Sequence, residues 1–408
     1  MPKTSPLLSL VSCSLVISGF AGCTSSPSIQ ESQAVSSVAS VSSASSALQE
    51  QSPKPISMTS SLEEIPVTEN LTLDPGQMIQ NCHVMDNTLY FLATAPNDLE
   101  GVAGFIYRTQ TLYAYDLASR SLRTIKEMDL AAQEAVLDFF EKDGVLYEAY
   151  QTSDDNGWYL HIRIDNQDVW SSQISSTNPT SLFWQPDGSI CFLASQMEPD
   201  PQMERDLRWG SLNRIKPDHS SEILWDSRNT DQAQILVTAK ANDSTTPIVF
   251  STCTQDENGL MDLSTSKLNY FDGQSVQSVS CSQISLLIPL ANHALVSIID
   301  SSGELYALKY DDLSLTAVEN PSGFMPTHGN GAIGDRFIWG NTEQTQVAQL
   351  KDGIVTSVPI DQLPESQSLG AFHVDENIDL LAQYVVSNPE SPTITWTYYL
   401  YQLPEEVQ

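Results

Sequence analysis

Three features of the sequence predict an all-β fold. Short apolar runs alternate with turns rich in Asp, Asn and Gly, residues that accept the left-handed conformations of tight hairpins. The runs recur as a unit of four strands with a period of about 45–50 residues, the spacing of propeller blades. Helical periodicity is nearly absent. Only Leu130–Phe140, LAAQEAVLDFF, shows it, and its later half reads better as the first strand of a unit. Together these features predict a β-propeller of about seven four-stranded blades, closed by an N-terminal strand that completes the last blade.

The repeating unit is clearest in HVMDNTLYFLATA followed by LYAYDLASRSLRTIKEM. It has two hairpins, the first turning at Asp86-Asn87. That first turn returns in EKDGVLYEAY, QPDGSICFLA, GDRFIWG and HVDENIDLLAQY. The second hairpin returns in LHIRIDNQDVWSS, LNRIKPDHSSEILWD, KLNYFDGQSVQSV, LYALKYDDLSLTAV and VAQLKDGIVTSV. First strands are expected near Ile79, Val136, Ser181, Ile235, Ile284, Gly331 and Gly370. The strands are apolar on both sides, as sheets packed between two neighbours require.

The last unit has three strands and then ends at Gln408. An unpaired edge would remain unless a strand came from elsewhere. Leu62–Asp74, LEEIPVTENLTLD, resembles the fourth strands, so Ile65–Leu73 is expected to pair with Thr393–Leu403. Runs such as LYAYDLASRSLRTI and GELYALKYDDLSL resemble the blades of the bacterial propeller superfamily that includes quinoprotein-like, TolB-like and lipoprotein propellers. The resemblance covers Ile65–Gln408 and implies a fold, not an activity.

The N-terminus has a different composition. After Lys3, residues Leu7–Phe20 form an apolar run too short to cross a bilayer as a stable helix. The run ends in Phe20-Ala21-Gly22-Cys23, which resembles the lipobox of bacterial lipoproteins, with Phe20 where that family usually carries Leu. The resemblance implies a signal peptide over residues 1–22 and lipidation of Cys23. Residues 23–61 are Ser-rich and lack aromatic side chains, so they bury too little apolar surface to offset the entropy of ordering. They read as a tether between a membrane-held cysteine and a propeller domain at 62–408.

Charge and cysteine content narrow the partners. Lys and Arg number 18 against 51 Asp and Glu, a net charge of −33. Such a surface repels nucleic acid and anionic lipid headgroups, so contact with a membrane is expected through the lipid anchor alone. Cys82, Cys191, Cys253 and Cys281 remain in the body without a C-x-x-C spacing. Their apolar settings favour free thiols, with Cys253–Cys281 the first choice if one bridge forms.

In a four-stranded blade the second-to-third and fourth-to-first connections open on one face. The second-to-third loops are expected to be long: Thr94–Gln110, Gln151–Gly157, Ser195–Leu207, Thr252–Ser264 and Ser387–Pro392. Tyr107, Arg108, Trp158, Arg205 and Trp209 flank them and form a candidate ligand-facing set. The competing reading has Trp158 and Trp209 packed on neighbouring blades. His83 and His373 share a repeat position and could meet Asp86 or Asp375 at a metal, against the simpler reading that each histidine is satisfied locally. No G-x-S-x-G, H-E-x-x-H or P-loop motif occurs. No catalytic residue, metal or cofactor is assigned. The expected function is a membrane-anchored extracytoplasmic lipoprotein whose propeller binds or scaffolds an envelope protein or glycan; the alternative is a glycan hydrolase or lyase built on the same fold.

Overall fold

The computed structural model describes residues 63–69, 71, 77–96, 107–130, 134–154, 156–174, 180–199, 206–229, 234–239, 247–255, 261–281, 283–298, 304–341, 344–359, 367–375, 379–387 and 394–401. The expected signal peptide, Cys23 and the serine tether lie outside these residues.

The described chain is a β-propeller of consecutive four-stranded meanders. Unit one holds β2 (Met78–Met85), β3 (Thr88–Pro96), β4 (Tyr107–Asp116) and β5 (Ser121–Asp129). Unit two holds β6 (Ala135–Lys142), β7 (Val145–Asp154), β8 (Gly157–Ile164) and β9 (Gln167–Ile174). Unit three holds β10 (Leu182–Trp184), β11 (Ile190–Pro199), β12 (Asp206–Ile215) and β13 (Ser221–Asp226). Unit four holds β14 (Gln234–Ala239), β15 (Ile248–Gln255), β16 (Met261–Phe271) and β17 (Val276–Ser280). Unit five holds β18 (Ile284–Pro289), β19 (His293–Ile298), β20 (Leu305–Lys309) and β21 (Leu315–Val318). Unit six holds β22 (His328–Ile333), β23 (Arg336–Gly340), β24 (Thr345–Lys351) and β25 (Ile354–Pro359). The last sheet is β26 (Gln367–Asp375), β27 (Asp379–Ser387) and β28 (Ile394–Tyr401), with β1 (Glu63–Ile65) on its outer edge. Units two and three are joined into one sheet by a single pair, Gln196 opposite Ile174.

The turns explain the signatures of both hairpins. Asp86-Asn87, Asp143-Gly144, Asp165-Asn166 and Asp352-Gly353 each put two consecutive residues at positive φ. Two-residue hairpins whose twist matches the strands need that pair of left-handed residues. The segment Leu130–Phe140 resolves as expected at its later half, where β6 begins at Ala135.

Side-chain alternation then builds the core. In β3, Leu89 and Phe91 face one way and join Ile65, Val67 and Tyr398 of the last sheet. Tyr90 and Leu92 face the other way and join Phe139, Phe140 and Tyr150 of unit two. In β11, Ile190, Phe192 and Ala194 pack toward unit two, while Cys191 and Leu193 pack toward Phe250 and Phe271 of unit four. In β19, Ala294 and Val296 meet unit four, and Leu295 meets Phe337 and Trp339 of unit six. A period of two with apolar residues on both phases is what a sheet sandwiched between two others requires.

The innermost strands share an irregularity. β2, β6, β14, β18, β22 and β26 each carry a one-residue bulge, at Cys82, Leu137, Leu236, Ser285, Gly331 and Gly370 respectively. A bulge re-aims the residue that follows it. That residue is His83 in unit one and Asp138 in unit two, which sets the site contacts below.

The chain ends meet. Glu63 pairs with Leu400, Glu64 with Tyr399 and Ile65 with Tyr398. The paired segment lies earlier than the expected Ile65–Leu73. Pro66 has no N–H to continue the ladder, and the chain turns at Val67–Glu69, closed by bonds from Val67 N to Ile65 O and from Glu69 N to Pro66 O. Ile65 and Val67 are buried against unit one, and Arg120 of unit one pairs with Glu63.

Four of the expected long loops, around 97–106, 200–205, 256–260 and 388–393, lie outside the described residues. The fifth, Gln151–Gly157, is corrected: Gln151–Asp154 continues β7, and Gly157 already starts β8. Thr152 and Ser153 are polar, yet they pair with Tyr159 and Trp158, because the ladder depends on backbone groups and not on side-chain polarity.

Two stability outcomes are expected. A chain starting at Leu62 retains β1, whereas one starting at Leu71 loses the burial of Ile65 and Val67, about 3 kcal/mol or more, and a lower melting temperature shows it by circular dichroism. A Cβ at Gly329 on β22 would lie 2.4 Å from Cδ1 of the fully buried Ile288. Gly329→Ala therefore destabilises by about 1–3 kcal/mol through overpacking, read from urea unfolding.

Candidate functional site

The residues singled out in the sequence are dispersed. Tyr107 and Arg108 open β4, but their side chains, and all of Arg205, lie outside the described residues. Trp158 in β8 is half-buried and packs on the core of unit two. Trp209 in β12 is 7% exposed, with the Arg228 guanidinium 3.7 Å over its ring. Trp158 stands opposite Ile174, Ile174 opposite Gln196, and Gln196 opposite Trp209. The two tryptophans thus occupy one row across the join of units two and three. Their burial fits packing, and the Trp209 ring face is covered by Arg228.

His83 is placed beside Asp138 and not beside Asp86, in keeping with the simpler reading that it is satisfied locally. His83 Nδ1 lies 3.7 Å from Asp138 Oδ2, and both residues are buried. Asp138 also accepts the backbone N–H of Leu182 at 2.8 Å and of Phe139 at 3.0 Å. Asp86 is drawn off to Lys142 at the surface. The bulges set this exchange, because they aim His83 and Asp138 toward each other across the seam between units one and two. The side chains of His373 and Asp375 lie outside the described residues. Among the described residues no three His, Cys, Asp or Glu converge as a metal site.

Cys191, Cys253 and Cys281 are free and buried, so the pair Cys253–Cys281 is not bridged. Burial pushes each of these thiols up to about 11, which leaves them protonated and poorly nucleophilic. The Cys82 side chain lies outside the described residues.

The richest polar constellation is one the sequence did not reveal, the seam between units one and two. Lys142 of unit two pairs with Asp86 of unit one at 2.5 Å, and Arg123 of unit one pairs with Glu141 of unit two. Next along the seam, Lys126 Nζ donates to Glu148 Oε1 at 2.8 Å and to Asn166. The Glu148 carboxylate is 0% exposed. Gln110 of unit one holds the backbone of Val136 with both ends of its amide, donating to its carbonyl at 3.2 Å and accepting from its N–H at 2.7 Å. Opposite Glu148 on β8, the Arg163 guanidinium lies 3.6 Å over the Tyr150 ring and donates to Asp168. His161 places Nε2 2.9 Å from Thr152 Oγ1 and Nδ1 3.2 Å from Asp168 Oδ2. No single motif encodes this set. Its members come from β4, β5, β6, β7, β8 and β9, and each looks like an ordinary strand polar residue in the sequence.

The order Asp168, His161, Thr152 is that of a carboxylate–imidazole–hydroxyl relay. The geometry argues for a structural role. Asp168 is shared with Arg163, and His161 Nδ1 makes no aligned hydrogen bond despite its nearness to Asp168. Burial pushes the His161 imidazole below its ordinary range, with Asp168 opposing the shift and Arg163 adding to it. Burial, reinforced by Glu134, pushes the Tyr150 phenol up to about 12.

No family model matches the chain, and no curated protein matches it. Solved structures similar to it include the acylaminoacyl peptidase of Pyrococcus horikoshii, at 10% identity and a TM-score of 0.48, over 82% of this chain and 54% of that one. A streptogramin B lyase is similar at 9% identity and a TM-score of 0.42, over 84% and 97% of the two chains. The β-propeller domain of Cps50 (Swd1) from Myceliophteria thermophila is similar at 11% identity and a TM-score of 0.43, over 80% and 100%. The chain spans about half the length of the peptidase.

Removing one member of the buried seam pair leaves the other uncompensated. Glu148→Ala is expected to destabilise by about 3 kcal/mol and to lower the urea midpoint, because Lys126 loses its carboxylate and a cavity opens. The Tyr150 phenol should ionise late, near pH 12. The neutral phenol is favoured in the fold, so its contribution to stability is present below the ordinary tyrosine value and is lost as pH rises toward about 12. A delayed step in ultraviolet titration, absent in Tyr150→Phe, checks it.

Proposed function

We propose that the protein is a lipid-anchored extracytoplasmic propeller that binds or scaffolds an envelope protein or glycan. The observation that carries the reading is in the sequence: a short apolar run, then Ala21-Gly22-Cys23, then a Ser-rich stretch directly ahead of the all-β body. That order suits a body held away from a membrane by a pliable tether. A binding role agrees with the chemistry of the described residues. The thiols and the Tyr150 phenol are displaced toward their unreactive, protonated forms, and the seam carboxylates Glu148 and Asp138 are committed to partners. In a four-stranded blade the second-to-third connections open on the face opposite the tight first-to-second turns. Connections at such an end are where a rigid scaffold presents ligand-contacting residues.

Membrane fractionation tests the anchor. Cys23→Ala is expected to release the body from membranes or to leave a longer, unprocessed precursor; a normally processed, membrane-held mutant overturns the anchor. Photo-crosslinking tests the binding end. A crosslinking residue at Asn156 is expected to capture an envelope protein or glycan in intact cells, and one at Asp352, on the opposite end, is not. Equal capture at both positions removes the case for that end.

A further inference from the structure

The upper part of the seam between units one and two holds an imidazole with little room for a second charge. His161 projects from β8 between Thr152 on β7 and Asp168 on β9. Its side chain is 18% exposed. The charged and titratable groups around it are Asp168 on β9, Arg163 on its own strand, Glu134 just ahead of β6, and Tyr150 on β7. From unit one, the cations of β5 facing unit two are Lys126 and Arg123, and each is committed to a carboxylate farther along the seam. Among the described residues Asp168 is the carboxylate that an ion pair joins to the imidazole, with Glu134 farther off, and Arg163 already takes the Asp168 Oδ1.

We propose that this cluster is an acid-sensitive clasp: protonation of His161 sets an imidazolium beside the Arg163 guanidinium with one shared carboxylate, and loosens the β7–β8 end that carries Asp154–Gly157. The neutral ring fits as it stands. Nε2 and the Thr152 hydroxyl bond to each other, and Arg163 lies flat on Tyr150. The charged ring needs hydration that a half-buried site does not give. Relief is available locally, because the β7–β8 connection is short and sits at the sheet's end. There Asp154 accepts the backbone N–H of Asn156 at 2.7 Å, and the Gln173 amide donates to Asn156 O at 2.8 Å. Freeing Thr152 from the ring unzips the last pairs of this hairpin before it disturbs the buried Glu148–Lys126 bond. The direction of the His161 shift agrees. For a base whose pKa is lowered in the fold, the stability it lends is complete above its unfolded value of 6.5 and is lost as pH falls below that value.

Hydrogen exchange, corrected for the intrinsic chemical rate, reads the clasp. Between about pH 7.5 and about pH 5.5, the amides of residues 152–160 are expected to lose protection by about threefold or more, while those of β19 and β23 keep theirs. His161→Gln keeps a neutral polar group on Thr152 and should abolish the change. If wild-type protection is unchanged, or if His161→Gln loses protection equally, the clasp is wrong. Titration of His161 by NMR in the wild-type protein gives a readout that does not depend on the variant folding. Its midpoint must lie below 6.5, with loss of protection setting in below 6.5 and levelling off at that midpoint; a midpoint at or above 6.5, or a loss that continues unchanged below it, overturns the proposal.

Discussion

The sheets whose side chains are described have two apolar faces, and each such face must be covered by a neighbour. That constraint decides most of the rest. It explains why Leu89 and Phe91 are as buried as Tyr90 and Leu92, although they point in opposite directions. It also governs the chain ends. A first sheet without a neighbour on one side would expose Ile79, Val84 and Phe91, so the last sheet lies against the first and β1 is recruited to its edge. Close packing at one such contact leaves no space for a side chain at Gly329, where Ile288 occupies the position a Cβ would take.

Several polar groups in these seams take over a backbone duty. Gln110 satisfies both polar atoms of Val136 on the innermost strand of the next unit. Asp138 does the same for the N–H of Leu182, one unit further on. Innermost strands have an edge with no strand beside it, and buried N–H and C=O groups there would otherwise go unpaired. Glu148 with Lys126 follows the same logic for a charge: full burial is tolerable because the partner comes from the facing unit. His83 sits in this scheme as a partner of Asp138, across the seam from unit two.

Much of the architecture was legible and little of the site was. The strand order could be read because turns such as Asp143-Gly144 and Asp352-Gly353 announce themselves through their φ requirement, and because both alternation phases of the strands are apolar. β1 could be placed because the last unit lacked a strand. Its exact span could not, since Pro66 ends the ladder before the apolar pattern of 65–73 does. The β7–β8 connection was misread for the opposite reason: Thr152-Ser153-Asp154 looks like a loop by composition, yet its backbone pairs. The seam cluster was invisible because His161, Arg163 and Asp168 alternate along β8 and β9 with nothing to mark them. Their meeting with Thr152 and Tyr150 depends on register across three strands, which sequence spacing does not fix.

Some of the chain's acidic side chains have a structural duty that precedes any partner. Asp116, Asp187, Asp218, Asp272 and Asp312 sit in hairpin turns and accept backbone N–H groups two or three residues ahead, from Ser119, Ser189, Ser220, Gln274 with Ser275, and Ser314. The hydroxyls of Ser189, Ser220 and Ser314 for Asp187, Asp218 and Asp312, and the backbone N–H groups for Asp116 and Asp272, hold the carboxyls below the usual carboxylate range. An acid whose pKa is lowered in the fold lends stability above its unfolded value and loses it as pH falls through the folded one, so these turns weaken only in strong acid. His161 acts in a different window, nearer neutrality, and in a different place, inside the sheet of unit two between Thr152 and Asp168. The tight turns and the seam therefore respond to acid independently. A mild fall in pH acts on the seam while the hairpins that define the strands stay closed, which is the separation a local conformational change needs if the propeller around it is to remain folded.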